Sequence, residues 1–252
     1  MDQNIEGKKI FFLYPHSVIR DELLDILIIS CYEAYTLNDH KRALKLLAKF
    51  RDAIMFINID EGMSEKEWEA YIRGIQENPK TIFCSLGILS YNTDPALKHK
   101  YLMDLNVPCG YIQLKLGIKE SSRILLSVLD VIEAKGKRKF LRALCADDPT
   151  ATVNVKSSGT IYYGKILDIS GSGMAVQFPK FDNLPINSKV TDIQLKLRGS
   201  LVHTDGILVG RRKEQNVYVF LFDVQKMNPD YKRTIQRYIK NSLQNYMDNI
   251  KV

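Results

Sequence analysis

Arg138 and Arg142 stand four residues apart in the basic run KGKRKFLR, and Asp168, Ser170 and Gly173 follow in LDISGSGM some two dozen residues later. A guanidinium is planar and permanently charged. Its fork grips the O6/N7 edge of guanine or a phosphate, and its face stacks on a purine. A Gly-Ser-Gly sequence beside a strand end frees backbone N–H groups and lets the chain come close to a phosphate. Together the two sets suit one small anionic nucleotide. Separately each is a weak signal, because basic linkers and glycine-rich hairpins are common.

The elements that must position these residues follow from hydrophobic period. The chain has 252 residues, enough for one large domain or two small ones. Residues 1–134 alternate short apolar runs with helical spacing. KKIFFLYP (8–15), AYTL (34–37), AIMFINI (53–59), TIFCSLGIL (81–89) and CGYIQL (109–114) read as strands. Asp21–Cys31, a helix capped by Asn38 or Asp39, a Ser64/Glu67 capping-box helix, Asp94–Leu105 and Ile118–Ala134 read as the helices between and after them. Five such alternations predict a parallel sheet covered on both faces.

From Thr150 the period changes to two. Segments 152–158, 159–170, 173–178, 189–199, 200–212 and 216–224 alternate and are rich in β-branched or aromatic residues. Ser157-Ser158-Gly159, Gly171-Ser172-Gly173, Asp182-Asn183 and Lys213-Glu214-Gln215 mark turns between them. Six short strands at this spacing predict a small antiparallel barrel. After Pro229, Tyr231, Ile235, Tyr238, Ile239, Leu243, Tyr246 and Ile250 share one helical face, suited to packing on the barrel or on a second copy. The charge run Lys135–Lys139 between the halves reads as a solvated linker.

Charge is uneven. Residues 1–134 carry 16 Lys and Arg against 19 Asp and Glu, a formal −3; residues 135–252 carry 20 against 10, a formal +10. The second half is the one that attracts an anion, and a nucleic acid satisfies that field as well as a small phosphate does. Cys31, Cys84, Cys109 and Cys145 and the four histidines lack metal-ligand spacing, so no metal site and no disulfide framework are expected. No P-loop, nucleophile elbow or triad spacing points to an enzyme. No apolar run reaches the roughly 20 residues of a membrane span, and the N-terminus lacks signal-peptide shape. Cytoplasmic residence is the expectation.

Residues 8–134 resemble a response-regulator receiver domain: KIFFLYPHSVIRDELLDIL looks like its first strand and helix, and GYIQL like its fifth strand. The resemblance is one of pattern. Where that family places a metal-binding acidic pair this chain has Tyr14, Pro15 and His16. Asn58 falls where the family has its phosphorylated aspartate, with Asp60 two positions on. Ser85 could stand at the family's Ser/Thr position, and Lys115 lies near its lysine. Without the acids phosphoryl transfer has no metal, so a degenerate domain for contacts, docking or dimerisation is expected.

RKFLR (138–142) and DISGSG (168–173), set among alternating strands, resemble the RxxxR and [DN]xSxxG motifs of the PilZ family of cyclic di-GMP receptors, and both motifs are complete. The segment GILVGRRKEQNVYVFLFDV is similar to that family's closing strands. The resemblance implies a receiver-like α/β domain over 1–134, a junction carrying RxxxR over 135–149, and an all-β six-stranded PilZ-type barrel with a C-terminal helix over 150–252. It implies that Arg138 and Arg142 wrap the ligand, that Asp168 and Ser170 hold the guanine edge or the arginine-bearing loop, and that Gly171 and Gly173 keep the turn open. Lys137, Lys139 and Arg211 are candidate further cationic contacts that the motif does not specify. The implied ligand is cyclic di-GMP, with no other cofactor. The implied role is a second-messenger effector in signalling such as motility or virulence, in which closing the arginines onto the barrel changes interdomain orientation. A downstream protein partner and a homodimer stay open. The alternative is a basic nucleic-acid-binding protein that uses the C-terminal half and the aromatics Tyr162 and Tyr163.

Overall fold

A computed structural model describes residues 6–17, 19–157, 159–179, 185–212 and 216–252. The expected turns at Ser158, Asp182-Asn183 and 213–215 lie outside them. Chain contacts divide the protein into two compact units, Met1–Lys139 with Asn249–Val252 and Phe140–Asp248.

In the first unit β1 (Ile10–Leu13), β2 (Ala34–Leu37), β3 (Ile54–Asn58), β4 (Ser85–Ser90) and β5 (Tyr111–Gln113) form one parallel sheet in the order β2-β1-β3-β4-β5. This is the doubly wound, receiver-like order. Ile10 of β1 pairs with Ala34 on one side and Ile54 on the other. β1 and β3 are buried at every position because helices cover both faces, which is why they read as unbroken apolar runs. Helix α1 (Leu24–Ile29) follows a wider π-type turn at Ile19–Leu23. Asp39 caps α2 (His40–Lys49) by accepting from the N–H groups of Lys41 and Arg42. Glu67 accepts from the N–H and hydroxyl of Ser64 at the start of α3 (Glu65–Glu77).

Two expectations shift here. The strand predicted to open at Thr81 opens at Ser85. The Thr81 hydroxyl donates to Ile75 O, and Asn78 Oδ1 accepts from Lys80 N, so 78–84 are turns that leave Ile82 and Phe83 exposed. The helix predicted over 94–105 is α4 (Pro95–His99) running into a π-type turn at Lys100–Asp104. The last helix of this unit is α5 (Ile118–Val131).

The second unit is an antiparallel barrel. β7 (Thr152–Ser157), β8 (Thr160–Ser170), β9 (Gly173–Gln177), β10 (Lys189–Leu197), β11 (Ser200–Arg212) and β12 (Val217–Phe222) close in the circuit β8-β7-β10-β11-β12-β9-β8. Val153, Val155, Ile166, Val176, Leu195 and Phe220 fill the interior from alternate positions. A further strand, β6 (Arg142–Leu144), was hidden by the charge run before it. Helix α6 (Pro229–Asn249) buries Ile235, Tyr238, Ile239, Leu243 and Met247. Tyr238 donates to Asp148 Oδ2 at 2.9 Å and lies under the Arg198 guanidinium, 5.5 Å from ring centre. The helix therefore packs on its own barrel, with Tyr246 left exposed. No helix among the described residues is long and apolar enough to cross a membrane. Cys84, Cys109 and Cys145 are buried free thiols, pushed up to about 11 by desolvation; Cys31 is half-buried.

Candidate functional site

β8 is long enough to serve two neighbours along one edge. Its first half, Thr160–Lys165, pairs with β7; beyond that β6 takes over, with Arg142 opposite Ser170, Ala143 opposite Ile169 and Leu144 opposite Asp168. A bulge between Ile166 and Asp168, where β8 meets β9, re-aims the strand at this changeover. The ladder thus carries Arg142 to the turn that begins at Ser170. Arg142 belongs to the barrel's hydrogen-bonded frame, three residues beyond the charge run Lys135–Lys139. The signal was Ala143 and Cys145, both fully buried at alternate positions, in phase with Leu141.

Arg142 Nη1 stands 3.9 Å from Asp168 Oδ1, with the side chains 57% and 28% exposed. A long exposed pair of this kind contributes about 0–1 kcal/mol. Both groups keep capacity for a ligand. Ser170 is buried: its hydroxyl donates to Gly173 O at 3.1 Å and accepts from Ser172 N at 3.3 Å, so it pins its own turn. Phe222 N donates to Ser172 O, tying the turn to β12. A β-carbon on Gly173 would stand 2.3 Å from Phe220 O, so β12 comes too close for any side chain there. At Gly171 the nearest atom is Phe140 Cδ1, at 3.8 Å from such a carbon.

The remaining candidates divide. Lys137, Arg138 and Lys139 are exposed in the first compact unit, in the chain leading towards β6. Arg138 Nη1 lies 3.4 Å from Glu6 Oε1, an exposed pair, and the Lys139 carbonyl accepts from the Cys31 thiol. Arg211 sits on β11 opposite Tyr218 of β12, with its guanidinium 5.0 Å from the ring centre. β12 and β9 separate it from β8, so the structure does not bring Arg211 to Asp168.

The C-terminal edge of the parallel sheet is organised differently. Asn58 is fully buried and its amide donates to Tyr14 O at 2.7 Å, while its oxygen accepts from Asp60 N. The Asp60 carboxylate accepts from the Ser90 hydroxyl and from Tyr91 N at 2.7 Å, and His16 Nε2 lies 3.1 Å away. Ser90 closes β4 beside Asp60, whereas Ser85 opens that strand at the opposite end.

Elsewhere on the barrel a cleft of about 720 Å³ is lined by Val153, Asn154, Tyr163, Lys165, Phe178 and Pro179 among others. Tyr163 is 68% exposed, whereas Tyr162 is half-buried.

Residues 136–241 match the family model for the PilZ domain. No curated protein matches the chain. Among solved structures, the chain is similar to the PilZ domain with c-di-GMP of YcgR from Escherichia coli, at 17% identity and TM-score 0.37 over 45% of this chain and 99% of that one. It is similar to the MrkH–c-di-GMP complex of K. pneumonia at 18% identity and TM-score 0.34, over 41% of this chain; the chain spans about half, 51%, of MrkH. It is also similar to the chemotaxis response regulator CheY4 of Vibrio cholerae at 17% identity and TM-score 0.41, over 50% of this chain and 98% of that one.

Proposed function

Residues 136–241 being a PilZ domain, we propose that this protein is a cyclic di-GMP receptor and effector whose ligand is held by Arg138, Arg142, Asp168 and the Ser170–Gly173 turn. The observation that carries the reading is the pairing of Arg142 with Ser170 and of Leu144 with Asp168, which sets one motif against the other on a single strand pair. Arg142 supplies a guanidinium that is 57% exposed beside a carboxylate able to accept from a guanine N–H edge. Gly171 and Gly173 leave the turn bare, and Ser170 holds it in shape. Lys137 and Lys139 add cationic charge along the chain that carries Arg138.

Arg138 lies outside the β6 ladder and Arg142 within it. A ligand that engages both fixes the segment between them, and so biases how the chain enters the barrel. The ligand shifts that equilibrium by its differential affinity for the closed form. Effector action is thereby a change of interdomain orientation that a downstream partner senses, with the receiver-like domain as the contact surface. Titration calorimetry with cyclic di-GMP against cyclic di-AMP and GTP tests recognition: saturable binding of the first alone is expected, and no heat with it overturns the reading. Small-angle scattering with and without ligand tests the orientation change, and superimposable profiles would leave a static receptor.

A second reading has its own observation, the exposed Tyr163 beside Lys165 in the cleft of the basic half. Stacking plus charge is how single-stranded nucleic acids are held without sequence preference. Salt-dependent oligonucleotide binding that cyclic di-GMP fails to displace would favour it.

A further inference from the structure

Phe140 fills a position that RxxxR leaves unspecified, between the two arginines and two residues before Arg142. Side chains on β6 alternate, with Ala143 fully buried and Arg142 and Leu144 exposed. Two residues before the strand, Phe140 is 44% exposed, and a β-carbon added at Gly171 would stand 3.8 Å from its Cδ1, so the ring faces that turn across the space the glycine leaves empty. Glycine leaves no side chain between the ring and that turn. The ring therefore faces the turn on one side and is partly open to solvent, two residues from Arg142 in the chain. Phe140 is not part of the buried interior, to which Ala143, Cys145, Ile166 and Ile169 belong.

A partly exposed aromatic ring facing a bare glycine turn is a surface on which a purine can stack. We propose that Phe140 is a binding residue of the cyclic dinucleotide, providing the platform for one of its bases while Arg142 engages a base edge or phosphate. This rests on the reading of the domain as a cyclic di-GMP receptor. Stacking is tolerant of base identity, so Phe140 raises affinity, and discrimination of guanine stays with the arginine fork and Asp168.

Calorimetry with cyclic di-GMP on the full chain, as wild type, Arg142→Ala, Phe140→Ala, Phe140→Leu and Phe140→Trp, tests this. Phe140→Ala and Phe140→Leu are expected to weaken binding about five- to a hundredfold, the range one stacked base supplies. Phe140→Trp keeps the affinity, and ligand quenches its emission; the only other tryptophan, Trp68, is fully buried in the first unit. Leucine retains apolar cover over Gly171, so a purely structural ring predicts wild-type affinity for Phe140→Leu and no quenching in Phe140→Trp, and either result overturns the proposal. If Arg142→Ala loses affinity while Phe140→Ala and Phe140→Leu do not, the Phe140 proposal falls alone. If the wild type does not bind, or Arg142→Ala binds as it does, the receptor reading itself falls.

Discussion

Two polar clusters in this chain use similar residues to opposite ends. At the C-terminal edge of the parallel sheet, the Asp60 carboxylate is occupied by the Ser90 hydroxyl, Tyr91 N–H and His16, and the Asn58 amide is spent on Tyr14 O. At the β6–β8 corner, Arg142 and Asp168 face each other at 3.9 Å, too long and too exposed to satisfy one another. The first cluster is a closed network that stabilises its fold. The second holds its backbone rigidly through Ser170 and Gly173 while its charges stay available. A binding site needs that division, because pre-organised backbone with unspent side-chain groups keeps the ordering cost of binding low.

The contrast breaks most severely at Gly173. With Phe220 O only 2.3 Å from an added methyl, Gly173→Ala is expected to cost about 3 kcal/mol, the upper end of overpacking. That lowers the barrel's melting midpoint by about 4–8 °C per kcal/mol. Gly171→Ala, which meets only the Phe140 ring at contact distance, should change stability by less than about 0.5 kcal/mol. Thermal unfolding of both variants measures the difference, and equal midpoints would show that β12 yields to the turn.

Next in size, Arg142→Ala and Arg138→Ala should each reduce cyclic di-GMP affinity by roughly tenfold to a few hundredfold, since each arginine combines stacking with a bidentate contact. Calorimetry reads this directly, and an unchanged constant removes that arginine from the site. Asp60→Ala probes the other cluster. Removing the shared acceptor strands the Ser90 and Tyr91 donors and should cost about 1–3 kcal/mol of stability in the first unit, with ligand affinity within twofold of wild type. A loss of binding equal to that of Arg142→Ala would erase the distinction between the clusters. The smallest effect is expected for Tyr163→Ala, which lies in a separate cleft: cyclic di-GMP affinity should stay unchanged within about twofold. A large loss there would extend the site along β8.

Much of this was legible. Continuous apolar runs announced β1 and β3 because strands buried on both faces need no polar side, and strict alternation announced β7 to β12. Misplacements came where local and tertiary signals diverge. TIFC has the composition of a strand, but the Asn78 and Thr81 side chains hold it in turns. β6 is three residues long and sits behind five consecutive basic or glycine residues, so only its pairing with β8 defines it. Ser85 was the serine singled out from the sequence, and only the strand direction showed that Ser90, at the other end of β4, is the one that meets Asp60.

The amino-acid sequence by itself determined the two-part architecture, the basic second half and the presence of both arginine and glycine motifs, because these depend on period, charge and spacing along the chain. Only the tertiary structure decided that Arg142 lies in a ladder against Ser170, that Arg211 is three strands away, that Gly173 is demanded by the approach of β12, and that Phe140 faces the Gly171 turn. Those are distances between residues remote in sequence, set by how a sheet closes on itself, and a linear order of side chains does not contain them.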